Sequence, residues 1–238
     1  MSQIDTIQPS TSVRNYALGI LVVVYTFNFI DRQILSILLE SIKTDLNLSD
    51  TSLGFLTGFA FALFYATLGI PIAKYADRGN RRNLIAISIA VWSFMTALSG
   101  LAQNFFHLLF ARIGVGVGEA GCSPPAHSMI ADYFPANKRS TALGIYSLGI
   151  PFGIMFGLFA GGWINEIFGW RLAFFVVGIP GLLIALLFRL TVKEPIRGQA
   201  EGKIDKKVQP TIYETISYLL KKRSFRHLLC AASLAAFV

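Results

Sequence analysis

The chain has 238 residues, of which 54% are hydrophobic and only 14% are charged, and its formal net charge is +8. Soluble domains typically carry about 25% charged residues, so this composition excludes an ordinary water-soluble domain and predicts a membrane-embedded protein. We interpret the excess of positive charge as an orientation signal and expect no nucleic-acid partner.

Apolar stretches long enough to cross a bilayer, about 20 residues each, recur six times. We predict spanning helices at 16–38, 53–73, 83–102, 105–130, 141–164 and 172–190. A polar tail at 1–15 precedes them, and a basic linker at 191–226 follows. The second half of the linker could form an amphipathic helix on the inner membrane surface, or it could be a solvated segment. The apolar run at 227–238 is too short to cross, so we expect it to begin a seventh helix. The predicted fold class is an all-α membrane protein with a six-helix bundle over 16–190.

Positive charge is distributed unevenly between the loops. Most of the 21 Lys and Arg residues fall in the N-terminal tail, the loops after the second and fourth predicted spans, and the basic linker. The loops on the opposite side keep only Lys43 and Arg171. Because positive loops stay in the cytoplasm, we predict an integral membrane protein, in a bacterial inner membrane, with a cytoplasmic N-terminus.

Ionisable residues lie inside two of the predicted spans. Asp31 and Arg32 interrupt the first span, and Arg112 and Glu119 interrupt the fourth. A charge at bilayer depth costs a few kcal/mol, so it normally faces a cavity or a partner. Arg112 and Glu119 are seven residues apart and share one helix face, so a purely structural ion pair between them is the alternative to a functional role. Buried charge in two spans is typical of a polar path through a membrane and favours a transporter. Arg112, Arg32 and Asn28, one turn earlier, are the candidate substrate-binding residues.

The carboxylates of Asp31 and Glu119 are the candidates for proton coupling. A low-dielectric surrounding disfavours a charged carboxylate and a neighbouring guanidinium favours it, so a carboxylate under both influences can exchange a proton at working pH. We therefore expect a proton as the coupling ion, with no metal and no other cofactor. Adjacent helix positions point about 100° apart. We predict that Asp31 faces the central cavity or an inner-gate partner, while Arg32 pairs elsewhere.

Glycine recurs every four residues in the fifth predicted span. The repeat consists of Gly149, Gly153, Gly157 and Gly161. Small residues let neighbouring backbones approach closely, so this stripe predicts a helix–helix contact surface. Pro151 lies within it and makes the helix easy to bend.

The loop between the second and third predicted spans reads AKYADRGNRR and carries one acid and three arginines. These are Asp77, Arg78, Arg81 and Arg82. The loop resembles a motif of the major facilitator superfamily, although Asn80 stands where a second glycine is usual. The resemblance implies a 12-helix transporter fold, of which this chain is the N-terminal half. It also implies a cytoplasmic gate, in which the acid faces a helix of the second half.

Longer stretches resemble the Spinster-like branch of this superfamily. They are FNFIDRQILS in the first span and VGVGEAGCSPPAHSMIADYFPANKRSTALGIYSLG across the fourth and fifth. In that branch an Asp of the first helix and a Glu and an Arg of the fourth are implicated in proton coupling and substrate binding. By position these are Asp31, Glu119 and Arg112. The resemblance implies secondary active, alternating-access transport of a small amphipathic or anionic organic solute. The implied partners are the bilayer, that small-molecule substrate, and a C-terminal six-helix half or a second copy.

Two alternatives stay open at this point. One is symport of a small organic anion with protons, and the other is a membrane sensor or regulatory half-protein that transports nothing. The sequence holds no metal-ligand cluster, no nucleophile–base signature and no nucleotide loop, so we predict that the protein is not an enzyme.

Overall fold

Helices account for every regular element in residues 10–201 and 212–236, which are the residues that the structure, a computed structural model, describes. The chain divides into two units, Met1–Lys203 and Ile204–Val238. Six helices within the described residues are long and apolar enough to cross a membrane, and all six belong to the first unit. The predicted all-α membrane bundle is confirmed.

The six membrane-crossing helices follow one another with short connections. They are α1 (Thr11–Leu46), α2 (Asp50–Arg78), α3 (Arg81–Ser99), α4 (Phe105–Tyr133), α5 (Ala136–Phe168) and α6 (Trp170–Thr191). Each contains most of a predicted span, and several extend beyond it. Because consecutive helices cross in alternating directions, α1 and α4 run antiparallel.

The first helix shows why some spans were predicted too short. Its N-terminus is capped by Ser10, whose hydroxyl accepts a hydrogen bond from the Val13 N–H at 3.4 Å. It ends at Leu46, and the following residue, Asn47, adopts the left-handed conformation. The helix therefore begins inside the predicted tail 1–15, of which residues 1–9 lie outside the described residues. At 1.5 Å per residue its 36 residues measure about 54 Å. The apolar run in the sequence marks only the part of the helix that lies in the hydrocarbon of the bilayer, so the prediction from that run was too short.

Three of the six helices contain irregular turns. Helix α2 includes a π-helical turn at Phe55–Phe59. Helix α4 consists of Phe105–Ala120 and Ser123–Tyr133, and Pro124 lies in the first turn of the second segment. A proline there lacks only an N–H that a helix start leaves unpaired, so the break falls just before the Pro-Pro pair. Helix α5 consists of Ala136–Ser147 and Gly149–Phe168.

The glycine stripe of α5 packs against α1. All four glycines, Gly149, Gly153, Gly157 and Gly161, are buried. A Cβ at Gly149 would lie 2.9 Å from the Tyr25 Cβ, and one at Gly157 would lie 3.1 Å from the Gln33 Cβ. A Cβ at Gly153 would overlap the Phe29 side chain and the Thr26 carbonyl. The absence of side chains thus lets α5 lie directly on the backbone of the helix that carries Asp31 and Arg32.

The second unit contains two helices, α7 (Ile212–Lys221) and α8 (Arg223–Ala236). The Ile216 and Leu220 side chains of α7 are exposed, and the Lys222 ammonium lies 4.9 Å from the centre of the Tyr218 ring. The predicted linker 191–226 includes residues 202–211, which lie outside the described residues. The place of α7 at the membrane surface stays a prediction, as does a seventh span over 227–238.

Candidate functional site

The four charged residues of α1 and α4 form two ion pairs inside the bundle. The Arg32 Nε lies 2.6 Å from the Glu119 Oε2. One terminal nitrogen of Arg112 lies 3.3 Å from the Asp31 Oδ1. The Thr96 hydroxyl of α3 donates a hydrogen bond to the other oxygen of Asp31. Both pairs join α1 to α4, and Thr96 ties α3 to the same cluster.

Arg112 and Glu119 do not pair with each other, which was the structural alternative to a functional role, because each residue has its partner on α1. Seven residues correspond to about 10.5 Å along a helix, and α1 offers each charge a closer opposite charge. Side chains tilt toward the N-terminus of their own helix. In antiparallel helices this tilt leans Arg32 and Glu119 toward each other, which explains how their short contact forms.

The prediction for Asp31 and Arg32 agrees with the structure in one part, since Arg32 pairs elsewhere, with Glu119. Asp31 instead pairs with Arg112 and Thr96 inside the bundle. Asp31 is buried, and the Arg32 side chain keeps 29% of its surface exposed. The Arg32 guanidinium lies among three aromatic rings, those of Phe29, Phe61 and Tyr65, at 5.0 to 5.4 Å from the ring centres. Cations are attracted to aromatic faces. Because part of its side chain is exposed, Arg32 is the accessible cation of the cluster.

Asn28, one of the substrate-binding candidates, is buried inside the bundle. It is 1% exposed, and neither polar atom of its side chain has a hydrogen-bond partner in the described part of the chain. The Glu119 Oε1 and the Arg112 Nε are likewise buried without a hydrogen-bond partner in the described part of the chain. Buried polar groups are normally hydrogen-bonded, so these atoms mark a polar interior that contacts among the described residues do not satisfy.

A second charged cluster surrounds Arg81 at the end of the bundle that carries the α2–α3 loop. The Arg81 side chain is buried, and its Nε donates to the Glu194 Oε1 at 2.7 Å. Its terminal nitrogens donate to the Ser128 hydroxyl at 2.8 Å and to the Pro195 carbonyl at 2.9 Å, and they pair with Asp132. One guanidinium thus joins the start of α3, the end of α4 and the segment after α6.

The backbone of the same loop is held by that segment. The Arg82 N–H donates to the Glu194 Oε2 at 2.7 Å. The Arg197 guanidinium donates to the carbonyls of Ala76 and Gly79, at 2.6 Å each, and to that of Asp77. Burial lowers the pKa of Arg197, and the nearby Arg81 lowers it further. The loop between α2 and α3 is therefore fixed within this half of the fold.

The four residues of the predicted gate motif have unequal roles in this arrangement. Asp77 and Arg78 are exposed, whereas Arg81 is buried. Sequence reasoning missed the partners Asp132, Glu194 and Arg197. A signal was available, because the topology places the ends of α4 and α6 on the same side as this loop, and a buried arginine there needs an acid.

The described helices and their interior ion pairs define a polytopic membrane protein with a polar core. The chain belongs to the major facilitator superfamily, whose sequence profile matches residues 21–238. This membership confirms the resemblance drawn from the α2–α3 loop. Members of the superfamily are transporters, which confirms that the chain is not an enzyme.

Individual relatives agree with the superfamily and with its Spinster-like branch. An MFS-type efflux pump of Mycolicibacterium smegmatis is 40% identical over 176 residues, which cover 74% of this chain and 41% of the pump. A probable galactarate/D-glucarate transporter of Bacillus subtilis is 36% identical, over 78% of this chain and 42% of that protein. The crystal structure of a bacterial homologue of the human lysosomal transporter Spinster, inward-facing and occupied, superposes with a TM-score of 0.77 at 42% identity. That match covers 82% of this chain and 48% of the crystallised one. The chain thus spans less than half the length of these relatives.

Proposed function

We propose that this chain forms the first half of a proton-coupled secondary transporter for a small organic solute. The observation that carries the proposal is the pair of buried salt bridges, Asp31–Arg112 and Arg32–Glu119, which connect α1 to α4 inside an apolar bundle. Buried ionisable residues in membrane helices are costly and mark ion and substrate pathways. Membership of a transporter superfamily supports the same reading and disfavours a sensor that transports nothing.

Glu119 is the proposed proton-binding residue. One of its carboxylate oxygens accepts from Arg32, and the other is buried without a hydrogen-bond partner in the described residues. A proton on the carboxylate would neutralise it and weaken its attraction to the Arg32 guanidinium. Asp31 differs because Arg112 and Thr96 occupy both of its oxygens. We therefore assign the exchangeable proton to Glu119. Asp31 has a secondary role, in which its proton affinity is coupled to that of Glu119.

Arg32 is the proposed contact for the substrate. It is the partly exposed cation of the cluster, and the rings of Phe29, Phe61 and Tyr65 surround it. An anionic or zwitterionic headgroup would compete with Glu119 for this guanidinium, and adjacent apolar groups would pack on the rings. Protonation of Glu119 would then free Arg32 for the substrate. Competition of this kind couples the two ligands, since each changes the affinity for the other.

The aromatic surroundings favour an amphipathic solute with a charged headgroup. Symport of a small organic anion is the second candidate, because a guanidinium binds any carboxylate and one relative is a probable galactarate/D-glucarate transporter. Superfamily transporters bind substrate between two halves. We accordingly propose that the site is completed by a C-terminal six-helix half or by a second copy. The uneven distribution of positive charge supports an inner-membrane location with a cytoplasmic N-terminus.

The test is transport by the whole protein, as it occurs in the membrane, after reconstitution into liposomes. An imposed pH gradient should drive movement of a fluorescent single-chain lipid, and Glu119→Gln should abolish this movement while exchange of the same solute across the membrane without a gradient continues. The matched control is Asp45→Asn, which removes a half-exposed carboxylate near the far end of α1 and should leave pH-driven transport intact. Full pH-driven transport by Glu119→Gln would overturn the assignment. Transport of galactarate in place of the lipid would favour the second candidate.

A further inference from the structure

A groove runs along the surface of the bundle between α3 and α6. Its volume is about 390 Å³. Ala86 and Ala185 line it and are buried, whereas Ile87 and Leu186 beside them are exposed. The alanines therefore form the floor of the groove, and the larger apolar side chains form its walls. In a chain embedded in a bilayer, exposed apolar side chains of this kind contact the acyl chains of lipids.

The groove arises from the order of small residues on the face of α6 that packs on α3. A Cβ at Gly178 would lie 2.6 Å from the Ala97 nitrogen. One at Gly181 would overlap the Ser93 hydroxyl. These glycines thus bring the two backbones together in the half of the contact far from the α2–α3 loop. One turn closer to that loop, Ala185 takes the next position on the same face. Its methyl group keeps the backbones apart, and because the floor on α3 is also made of alanine, a gap is left there.

The groove is apolar along its length and polar at one end. Apart from Asn83 and Arg189, the residues that line it are alanine, isoleucine and leucine. Asn83 lies in the first turn of α3 and Arg189 in the last turn of α6. Because the two helices run antiparallel, both residues lie at the end next to the α2–α3 loop. From Asn83 to Ala90, α3 rises about 10.5 Å. The space therefore fits an apolar chain that lies along the helices and carries a polar group at that end.

The polar end of the groove is positively charged. Arg189 is exposed, and no acid of the described ranges lies within ion-pair distance of it. The Arg82 Nε donates to the Asn83 Oδ1 at 3.3 Å, which places a second guanidinium beside the amide. The nearby acid Glu194 is already paired with Arg81. Guanidinium groups bind phosphate through charge-assisted hydrogen bonds, so the polar group that suits this end is an anion.

We propose that this groove binds an anionic phospholipid, with one acyl chain between α3 and α6 and the phosphate on Arg189 and the Asn83 amide. The second acyl chain stays in the bilayer, to which the groove is open. Basic pockets between membrane helices on the cytoplasmic side bind anionic headgroups, and the segments at this end of the bundle hold most of the positive charge. A soluble anion would bind the guanidinium but leave the apolar length of the groove empty. The site lies outside the interior that holds Asp31 and Glu119, so this inference does not depend on the proposed function.

Lipid binding by the whole protein in detergent tests the proposal. Native mass spectrometry measures the affinity for added phosphatidylglycerol, and phosphatidylcholine with the same acyl chains is the comparison. Arg189→Gln changes an exposed side chain and should weaken the binding of phosphatidylglycerol by about fivefold while leaving that of phosphatidylcholine unchanged. Lys138→Gln is the matched control, because it removes another exposed cation at the same end of the bundle, in the first turn of α5. It should keep the parent affinity.

Two further variants test the apolar part of the groove. Ala90→Leu fills the space for the acyl chain and should weaken the binding of phosphatidylglycerol by at least about fivefold. Leu186→Ala removes part of an exposed wall and should weaken it by about threefold, which supplies the same test if Ala90→Leu fails to fold. Glycerol phosphate, which has the headgroup without the chains, should not displace the lipid. A phosphatidylglycerol with a photoreactive diazirine in one chain should label α3 and α6 within 83–90 and 182–189.

Several outcomes would overturn the proposal. They are an unchanged affinity in Arg189→Gln, an equal loss in Lys138→Gln, and an unchanged affinity in the groove variants that fold. Displacement of the lipid by glycerol phosphate, or labelling confined to other helices, would do the same. Because no transport is measured, a failure of pH-driven transport would refute the proposed function without changing these outcomes.

Discussion

Replacing Arg81 with glutamine removes the guanidinium that joins the start of α3 to the end of α4 and to the segment after α6. In the parent this group donates to Glu194, Ser128 and the Pro195 carbonyl and pairs with Asp132. The Arg81 side chain is 1% exposed, whereas those of Asp132 and Glu194 are 14% and 23% exposed. The variant therefore leaves two carboxylates without their cation in a mostly buried place.

The expected loss of stability follows from these contacts. Removing one partner of a buried ion pair typically costs about 3–5 kcal/mol. Because water can reach both carboxylates in part, we expect the low end of the range, about 3 kcal/mol. At about 2–4 °C per kcal/mol for a chain of this size, the Tm should fall by about 6–12 °C. Thermal unfolding in detergent, followed by tryptophan fluorescence, measures this change.

Arg82→Gln is the matched control from the same motif. The side chain of Arg82 donates to the adjacent Asn83, and its contact with Glu194 is made by the backbone N–H, which the variant retains. Its Tm should stay within about 2 °C of the parent, as for a substitution worth 0.5 kcal/mol. Equal Tm values for Arg81→Gln and the parent, or equal losses in the two arginine variants, would refute the assignment of a special role to Arg81.

Three further substitutions test the close packing against α1 and the strength of an exposed ion pair. Gly153→Ala should destabilise the protein by about 1–3 kcal/mol, because its methyl group would overlap Phe29 and the Thr26 carbonyl. At Gly144 no atom lies within 4 Å of an added Cβ, so Gly144→Ala should instead stabilise the protein by about 0.5–1 kcal/mol. Chemical denaturation of both variants measures the two changes in unfolding free energy, and a change of the opposite sign in either would contradict the prediction. Arg171→Gln breaks an ion pair with Asp45 whose side chains are 42% and 46% exposed and removes a hydrogen bond to the Ala102 carbonyl, so it should cost about 1–2 kcal/mol. A loss as large as that of Arg81→Gln would contradict the distinction between exposed and buried pairs.

The helices and the superfamily could be predicted from the sequence because their signals are local. An apolar run of about 20 residues, a basic loop and a glycine every fourth residue each report on their own segment. The ends of α1 were missed for the same reason, since a helix that continues beyond the hydrocarbon has no apolar signature there.

The pairing of charges could not be predicted, because it depends on how two distant helices pack. Placing Arg112 and Glu119 on one face of α4 was correct as helix geometry, but it did not show that Asp31 and Arg32 lie opposite them. The contact between Arg32 and Glu119 joins residues 87 positions apart, and that between Arg81 and Glu194 joins residues 113 apart. Such contacts are set by the tertiary arrangement of the bundle.

The central claim is that Glu119 couples the movement of protons to the movement of the substrate. The most direct test measures whether protons cross the membrane together with the substrate. The whole protein is reconstituted into liposomes that contain a pH-sensitive dye, and a gradient of the transported solute is applied with no pH difference. We predict that the solute gradient changes the internal pH in the parent, and that Glu119→Gln moves the solute without changing the pH. Solute movement in the parent with no change of internal pH would contradict the claim, and so would an unchanged proton signal in Glu119→Gln.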